Sequence, residues 1–143
     1  MEHELYFDGT ITEYSWSIKT EDKIVNQIRE HPPAYLSGGK LDVKNNLESR
    51  FIALHVGIYW GLGVFIIKDS DAVNIMCDSK EMYEILVNNQ KIDNQIINDK
   101  IHFINQLTDH RNLKINFRVI EPETNLATEK LARSASRDSR GFV

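Results

Sequence analysis

Between Phe51 and Ile67 the chain runs for 17 residues without a formal charge. Such a run must leave water, either for a bilayer or for a protein core. A bilayer span needs about 20 consecutive apolar residues. This run is shorter and is interrupted by His55, Gly57, Gly61 and Gly63, so a long buried helix is expected and no membrane span. Leu47, Phe51, Leu54 and Ile58 recur at helical spacing, with Ile52, Val56 and Tyr59 widening the stripe. The helix is expected to begin near Asn45–Asn46 and to run on through Val64–Ile67. The alternative is that Val64–Ile67 forms a separate apolar segment.

A helix of this kind needs a partner surface, and the flanking sequence offers a sheet. His3–Asp8 reads as a strand closed by the turn signal Asp8-Gly9. Tyr14–Thr20 and Lys23–Ile28 are strand candidates around a hairpin turn at Thr20-Glu21-Asp22. His31–Lys44, with Pro32-Pro33 and Gly38-Gly39, reads as a surface loop. Ala72–Asp78 is a buried strand, with Val73, Ile75 and Cys77 on one face and Ala72, Asn74 and Met76 on the other. Ser79 can cap a helix carrying Met82, Ile85 and Leu86. Ile96 to Leu107 is helical on Ile97, Ile101 and Ile104, and Leu113–Ile120 alternates as a strand. A last helix follows Pro122 on Leu126, Ala127, Leu131 and Ala135. Three strands, a helix, a strand, helices, a strand and a helix imply an α/β mixed sheet with helices on both faces.

With 143 residues and 41% hydrophobic side chains, one domain and one core are expected. Residues 1–136 are expected to make up that domain, and 137–143 a flexible tail. Acidic residues outnumber basic ones 21 to 17, for a formal charge of −4, which argues against holding nucleic acid by a general positive field. The single cysteine, Cys77, excludes an internal disulfide and a cysteine-based zinc cage. Met1–Thr10 lacks the basic start and apolar run of a secretory signal. A reducing, cytoplasmic location and a monomer are the expectations.

Four acids stand out by position. Asp8 closes the first strand and Asp78 the buried one. Glu48 lies one turn into the first helix, with Phe51 and Ile52 at i+3 and i+4, and Glu129 lies early in the last helix. Acids at neighbouring strand ends, joined by acids from helices packed there, can converge. Their mutual repulsion then calls for a cation. Oxygen ligands suit Mg²⁺ or Mn²⁺, and two such ions can clamp a phosphodiester. Each acid also has a plain local explanation. Asp8 is a turn residue before Gly9, Glu48 can close a capping box with Asn45, Asp78 can help cap the helix at Ser79, and Glu129 suits a helix N-terminus.

Taken together, Asp8-Gly9-Thr10 after a strand, Asn45-Asn46-Leu47-Glu48 opening a helix and Cys77-Asp78-Ser79 ending a strand resemble ribonuclease H. The closing run from Pro122 to Ala132, Pro-Glu-Thr-Asn-Leu-Ala-Thr-Glu-Lys-Leu-Ala, resembles that family's Asn-x-x-Ala-Asp-x-Leu-Ala motif. The resemblance covers Leu5 to about Ser134. It implies a ribonuclease H-like catalytic domain over 1–136, built on a five-stranded mixed sheet. It also implies hydrolysis of the RNA strand of RNA/DNA hybrids, with two Mg²⁺ or Mn²⁺ ions on Asp8, Glu48, Asp78 and Glu129.

Glu129 stands where the family usually has Asp, and its extra methylene lengthens that contact. Ile120–Asn125 holds no histidine where many members have one, and His110 is not assigned that role. The basic handle of some bacterial members is not evident in Asn88–Asp99, and no added hybrid-binding domain is expected. By the same resemblance Gly9, Thr10, Asn45, Asn46 and Ser79 face the nucleic acid, where the 2′-hydroxyl distinguishes RNA from DNA. Asn45 has an N-cap reading as well. Arg133, Arg137 and Arg140 could add phosphate contacts, although a solvated helix end is the plainer reading. Trp16 and Trp60 read as core. The alternatives are a DNA junction nuclease or exonuclease of the same fold, and a non-catalytic nucleic-acid-binding domain.

Overall fold

The computed structural model describes residues 1–32 and 43–131. Strands β1 (Glu2–Gly9), β2 (Glu13–Thr20) and β3 (Lys23–Glu30) form an antiparallel meander. Helix α1 (Asn46–Gly63) leads to β4 (Ala72–Cys77), which lies parallel to β1. Helices α2 (Lys80–Asn88) and α3 (Gln95–Arg111) precede β5 (Lys114–Val119), which is parallel to β4 at the sheet edge. The five strands stand in the order β3-β2-β1-β4-β5. A 3-10 turn at Pro122–Thr124 leads into helical residues 126–131, here α4. This is the expected five-stranded mixed sheet. Ala135 and the three C-terminal arginines lie outside the described residues, as do 33–42 of the expected loop.

Alternation along the strands sorts the two faces. Leu5, Phe7, Trp16, Ile18, Val73, Ile75 and Cys77 point into the main core with Phe51, Leu54 and Ile58 of α1, Met82 of α2 and Ile97 and Ile104 of α3. On the opposite face Tyr6 and Met76 pack against Ala127 of α4, and Ser15 Oγ donates to the Ala127 carbonyl at 2.8 Å. Trp16 is fully buried against Trp60, as expected of core residues. Ser79 accepts from Met82 N at 3.1 Å and caps α2.

One expectation is corrected. Helix α1 does not run through Val64–Ile67 but ends at Gly63, with Val64 as its C-cap. Phe65 turns the chain at a φ of 65°, and the Ile66 and Ile67 amides both donate to the Gly61 carbonyl at 3.0 Å. This reversal brings Ile67 back onto the helix, where a Cβ on Gly61 would come within 2.8 Å of it. The uncharged run continues past the helix end through exposed Val64 and Phe65 to buried Ile67, so the absence of charge alone could not mark where the helix stops. No helix among the described residues is long and apolar enough to cross a membrane.

Candidate active site

β1 and β4 are parallel neighbours with Tyr6 paired to Met76. That is the last pair of the ladder; Asp8 and Asp78 each follow two residues on, Asp8 within β1 and Asp78 just past the end of β4. Asp8 is buried, and its Oδ1 accepts from Gly9 N at 2.8 Å and from Arg50 Nε at 3.0 Å. Its Oδ2 accepts from Thr128 Oγ1 at 2.5 Å. Asp78 is half-buried and accepts through Oδ2 from Asn125 Nδ2 at 2.9 Å. Asn125 is itself buried. It also donates to the Phe7 carbonyl at 3.0 Å and accepts from Ala127 N at 3.0 Å, so it ties β1, β4 and α4 together.

Glu48 is buried at the start of α1. Asn45 Oδ1 accepts from Glu48 N at 2.8 Å, and Glu48 Oε1 accepts from Lys44 N at 2.9 Å. That is a capping arrangement displaced by one residue. Glu48 Oε2 also accepts from Asn94 Nδ2 at 2.7 Å. Asn94 meanwhile caps α3 by accepting from Ile97 N at 3.1 Å.

Gly9 is fixed by close approach, since a Cβ there would meet Ser49 Oγ at 2.2 Å and the Ser49 backbone carbon at 2.8 Å. Ser49 Oγ also lies 2.7 Å from His31 Nε2. Burial pushes the His31 imidazole below its ordinary value, against a hydrogen bond to the Thr10 backbone. Thr10 Oγ1 accepts from Glu13 N at 3.2 Å and so organises the turn after Gly9. Asn46 is exposed on the first turn of α1, and Glu129 is exposed on α4 beside Thr128.

Arg50, Thr128, Asn125 and Asn94 were not among the residues expected at the site. Asn125 had a signal as the first residue of the closing motif. Arg50 is the last charge before the apolar run, two residues after Glu48. Thr128 and Asn94 reach the acids only through tertiary packing, which spacing does not encode.

The all-oxygen donor set fits a hard divalent cation in its chemistry. Arg50 is the only cationic side chain paired with any of these acids among the described residues. The acids do not form a ready-made cage. No three His, Cys, Asp or Glu side chains are grouped to hold a metal among the described residues. Arg50 and Thr128 hold Asp8, while Lys44 N and Asn94 hold Glu48.

Fold and strand-end acids define an α/β protein with a ribonuclease H-like fold, and solved structures of that class superpose on most of the chain. RNase H1 from the halophilic archaeon Halobacterium salinarum NRC-1 matches at a TM-score of 0.71 and 16% identity, over 96% of this chain and 99% of that one. The N-terminal RNase H domain of rv2228c from Mycobacterium tuberculosis matches at 0.64 and 15%, over 89% and 92%. LC11-RNase H1, solved in complex with an RNA/DNA hybrid, matches at 0.64 and 14%, over 90% and 91%. No protein-family model matches the sequence, and no curated protein matches it.

Proposed function

We propose that the protein is a divalent-metal-dependent endoribonuclease that cuts the RNA strand of RNA/DNA hybrids and leaves 5′-phosphate and 3′-hydroxyl ends. The observation that carries the reading is the strand-end pair: Asp8 and Asp78 at the same end of two adjacent parallel strands, with Asn125 bonded to the Phe7 carbonyl and to Asp78. The fold likeness to RNase H1 structures supports it.

In this reading Asp8, Glu48, Asp78 and Glu129 hold two Mg²⁺ or Mn²⁺ ions. When bound, such ions activate a water and stabilise the leaving oxygen. The chain's own residues set the stage for that chemistry. Asn125 fixes Asp78, Thr128 fixes one oxygen of Asp8, and the missing side chain at Gly9 lets the β1–β2 turn lie against α1. Thr10, Asn45, Asn46 and Ser79 contact the hybrid. Of the two amides Asn46 has the freer role, because Asn45 is already the helix cap. The protein works as a cytoplasmic monomer.

A second reading, a non-catalytic nucleic-acid-binding domain, draws on the Arg50–Asp8 ion pair, which neutralises an acid without any metal. One experiment separates the two. Labelled RNA/DNA hybrid is incubated with the protein in Mg²⁺ or Mn²⁺, beside RNA/RNA, DNA/DNA and junction substrates, with Asp78→Asn as control. The first reading expects metal-dependent cutting of hybrid RNA that the variant loses. Cutting of DNA alone would point to a junction nuclease or exonuclease. Hybrid binding without cutting, indifferent to metal, would favour the second reading.

A further inference from the structure

We propose that Arg50 is a built-in counter-cation that competes with the divalent ion for Asp8. The inference rests on the metal-dependent reading above. Arg50 projects from the first turns of α1, two residues after Glu48, and its Nε lies 3.0 Å from Asp8 Oδ1. The pair is largely sheltered: the Asp8 side chain is 8% exposed and that of Arg50 28%. A carboxylate offers about four lone-pair positions. Protein donors take three of those on Asp8, through Gly9 N, Arg50 Nε and Thr128 Oγ1.

Two of these donors are neutral and can stay in place beside a metal. The guanidinium cannot do so without cost. It occupies a position on the oxygen that a metal would otherwise share, and its positive charge repels a divalent ion at short range. Removing the charge therefore frees a ligand position and lifts the repulsion. The same removal leaves Asp8 without a counter-charge in the metal-free protein. Metal-free stability and metal affinity should accordingly move in opposite directions, a pairing that a purely structural arginine does not produce. Arg50 is a positioning residue in this scheme, since it acts on Asp8 and not on the substrate.

The test uses the full chain and Mn²⁺ alone as probe, titrated by calorimetry and by metal-induced shift in melting temperature. Wild type, Arg50→Gln and Arg50→Lys are compared, with hybrid cleavage measured in parallel. Arg50→Gln is expected to bind Mn²⁺ about five- to tenfold more tightly, the size of one lost partly buried charge interaction. It should melt lower than wild type without metal and show a larger rise with metal. Arg50→Lys keeps the charge and should bind Mn²⁺ within about twofold of wild type. Equal or weaker binding by Arg50→Gln, in a protein whose wild type binds Mn²⁺ and cuts hybrid, overturns the role of Arg50 and leaves the nuclease reading standing. If neither wild type nor Arg50→Gln binds Mn²⁺ and no hybrid is cut, the metal-dependent reading fails and the inference falls with it.

Discussion

Asn125 donates from a single amide nitrogen to Asp78 Oδ2 at 2.9 Å and to the Phe7 carbonyl at 3.0 Å, across 47 and 118 residues of sequence. The same side chain accepts from Ala127 N through its oxygen. One neutral residue thus sets the position of a strand-end acid, the end of the neighbouring strand and the start of α4.

Asn125→Ala should therefore cost stability and function together. It leaves a buried carbonyl and an amide without partners, which costs about 2–3 kcal/mol. That corresponds to a fall of roughly 5–10 °C in melting temperature for a chain of this size. Asn125→Asp brings a second carboxylate against Asp78, so its deficit should be larger at pH 7 than at pH 4, where protonation relieves the repulsion. Thermal melts at the two pH values check both outcomes.

At Gly9 the constraint is steric. A methyl group there meets the backbone of Ser49 as well as its hydroxyl, so rotating the Ser49 side chain cannot relieve it. Gly9→Ala should destabilise by about 1–3 kcal/mol through displacement of α1 from β1. Truncating the neighbour in Gly9→Ala/Ser49→Gly should recover only part of the loss, because the contact with the backbone carbon remains. Denaturant midpoints of the two variants read this directly. Full recovery would mean that the side chain alone sets the contact.

The sheet was legible in the sequence because alternation and turn residues are local signals. The opposed faces of β4, the hairpin at Glu21-Asp22 and the caps at Asn45 and Ser79 all follow from them. The end of α1 was not legible. Phe65 takes a left-handed conformation that nothing in an aromatic residue announces, and the returning Ile66 and Ile67 look like more of the same helix. The acids could be picked out because a strand end is a local property. Their partners could not: Thr128 meets Asp8 only because α4 docks on the far face, and Asn94 meets Glu48 only because α3 starts beside α1.

Stability should fall between pH 6.5 and about 4 because of His55. Burial, with the nearby Lys100 charge, pushes this imidazole down from 6.5 to about 4. It also stacks on Phe103 at 5.5 Å between centroids, and its buried Nδ1 has no hydrogen-bond partner among the described residues. The unfolded chain takes up a proton at His55 below about pH 6.5 while the folded chain resists until about pH 4. The neutral site's contribution is therefore intact above pH 6.5 and is lost progressively as the pH falls through that window. His55→Leu should flatten the melting temperature against pH there. An unchanged slope would place the titration elsewhere.

Cys77 should be silent towards thiol reagents in the native protein. It ends β4 in the core, and burial, with the adjacent Asp78 charge, pushes the thiol up to about 12. Thiolate is the reactive form, so at pH 8 both protonation and access protect it. Labelling with a maleimide or a disulfide reagent should follow the rate of unfolding and accelerate in denaturant. Rapid native labelling would mean that the strand end opens locally.

Glu129 offers the sharpest division between a helix-terminal charge and a metal ligand. It is exposed on α4, next to the Thr128 that bonds Asp8, so its backbone is held close to the strand-end acids. If it serves only the helix terminus, Glu129→Gln costs a few tenths of a kcal/mol and leaves hybrid cleavage intact. As the fourth ligand it behaves differently. Cleavage should fall at least about tenfold, equivalent to about 1.4 kcal/mol at the transition state. Raising Mn²⁺ should restore part of that loss, because a weakened ligand set is compensated by mass action. Glu129→Asp, one methylene shorter, should cleave better than Glu129→Gln because it keeps the charge.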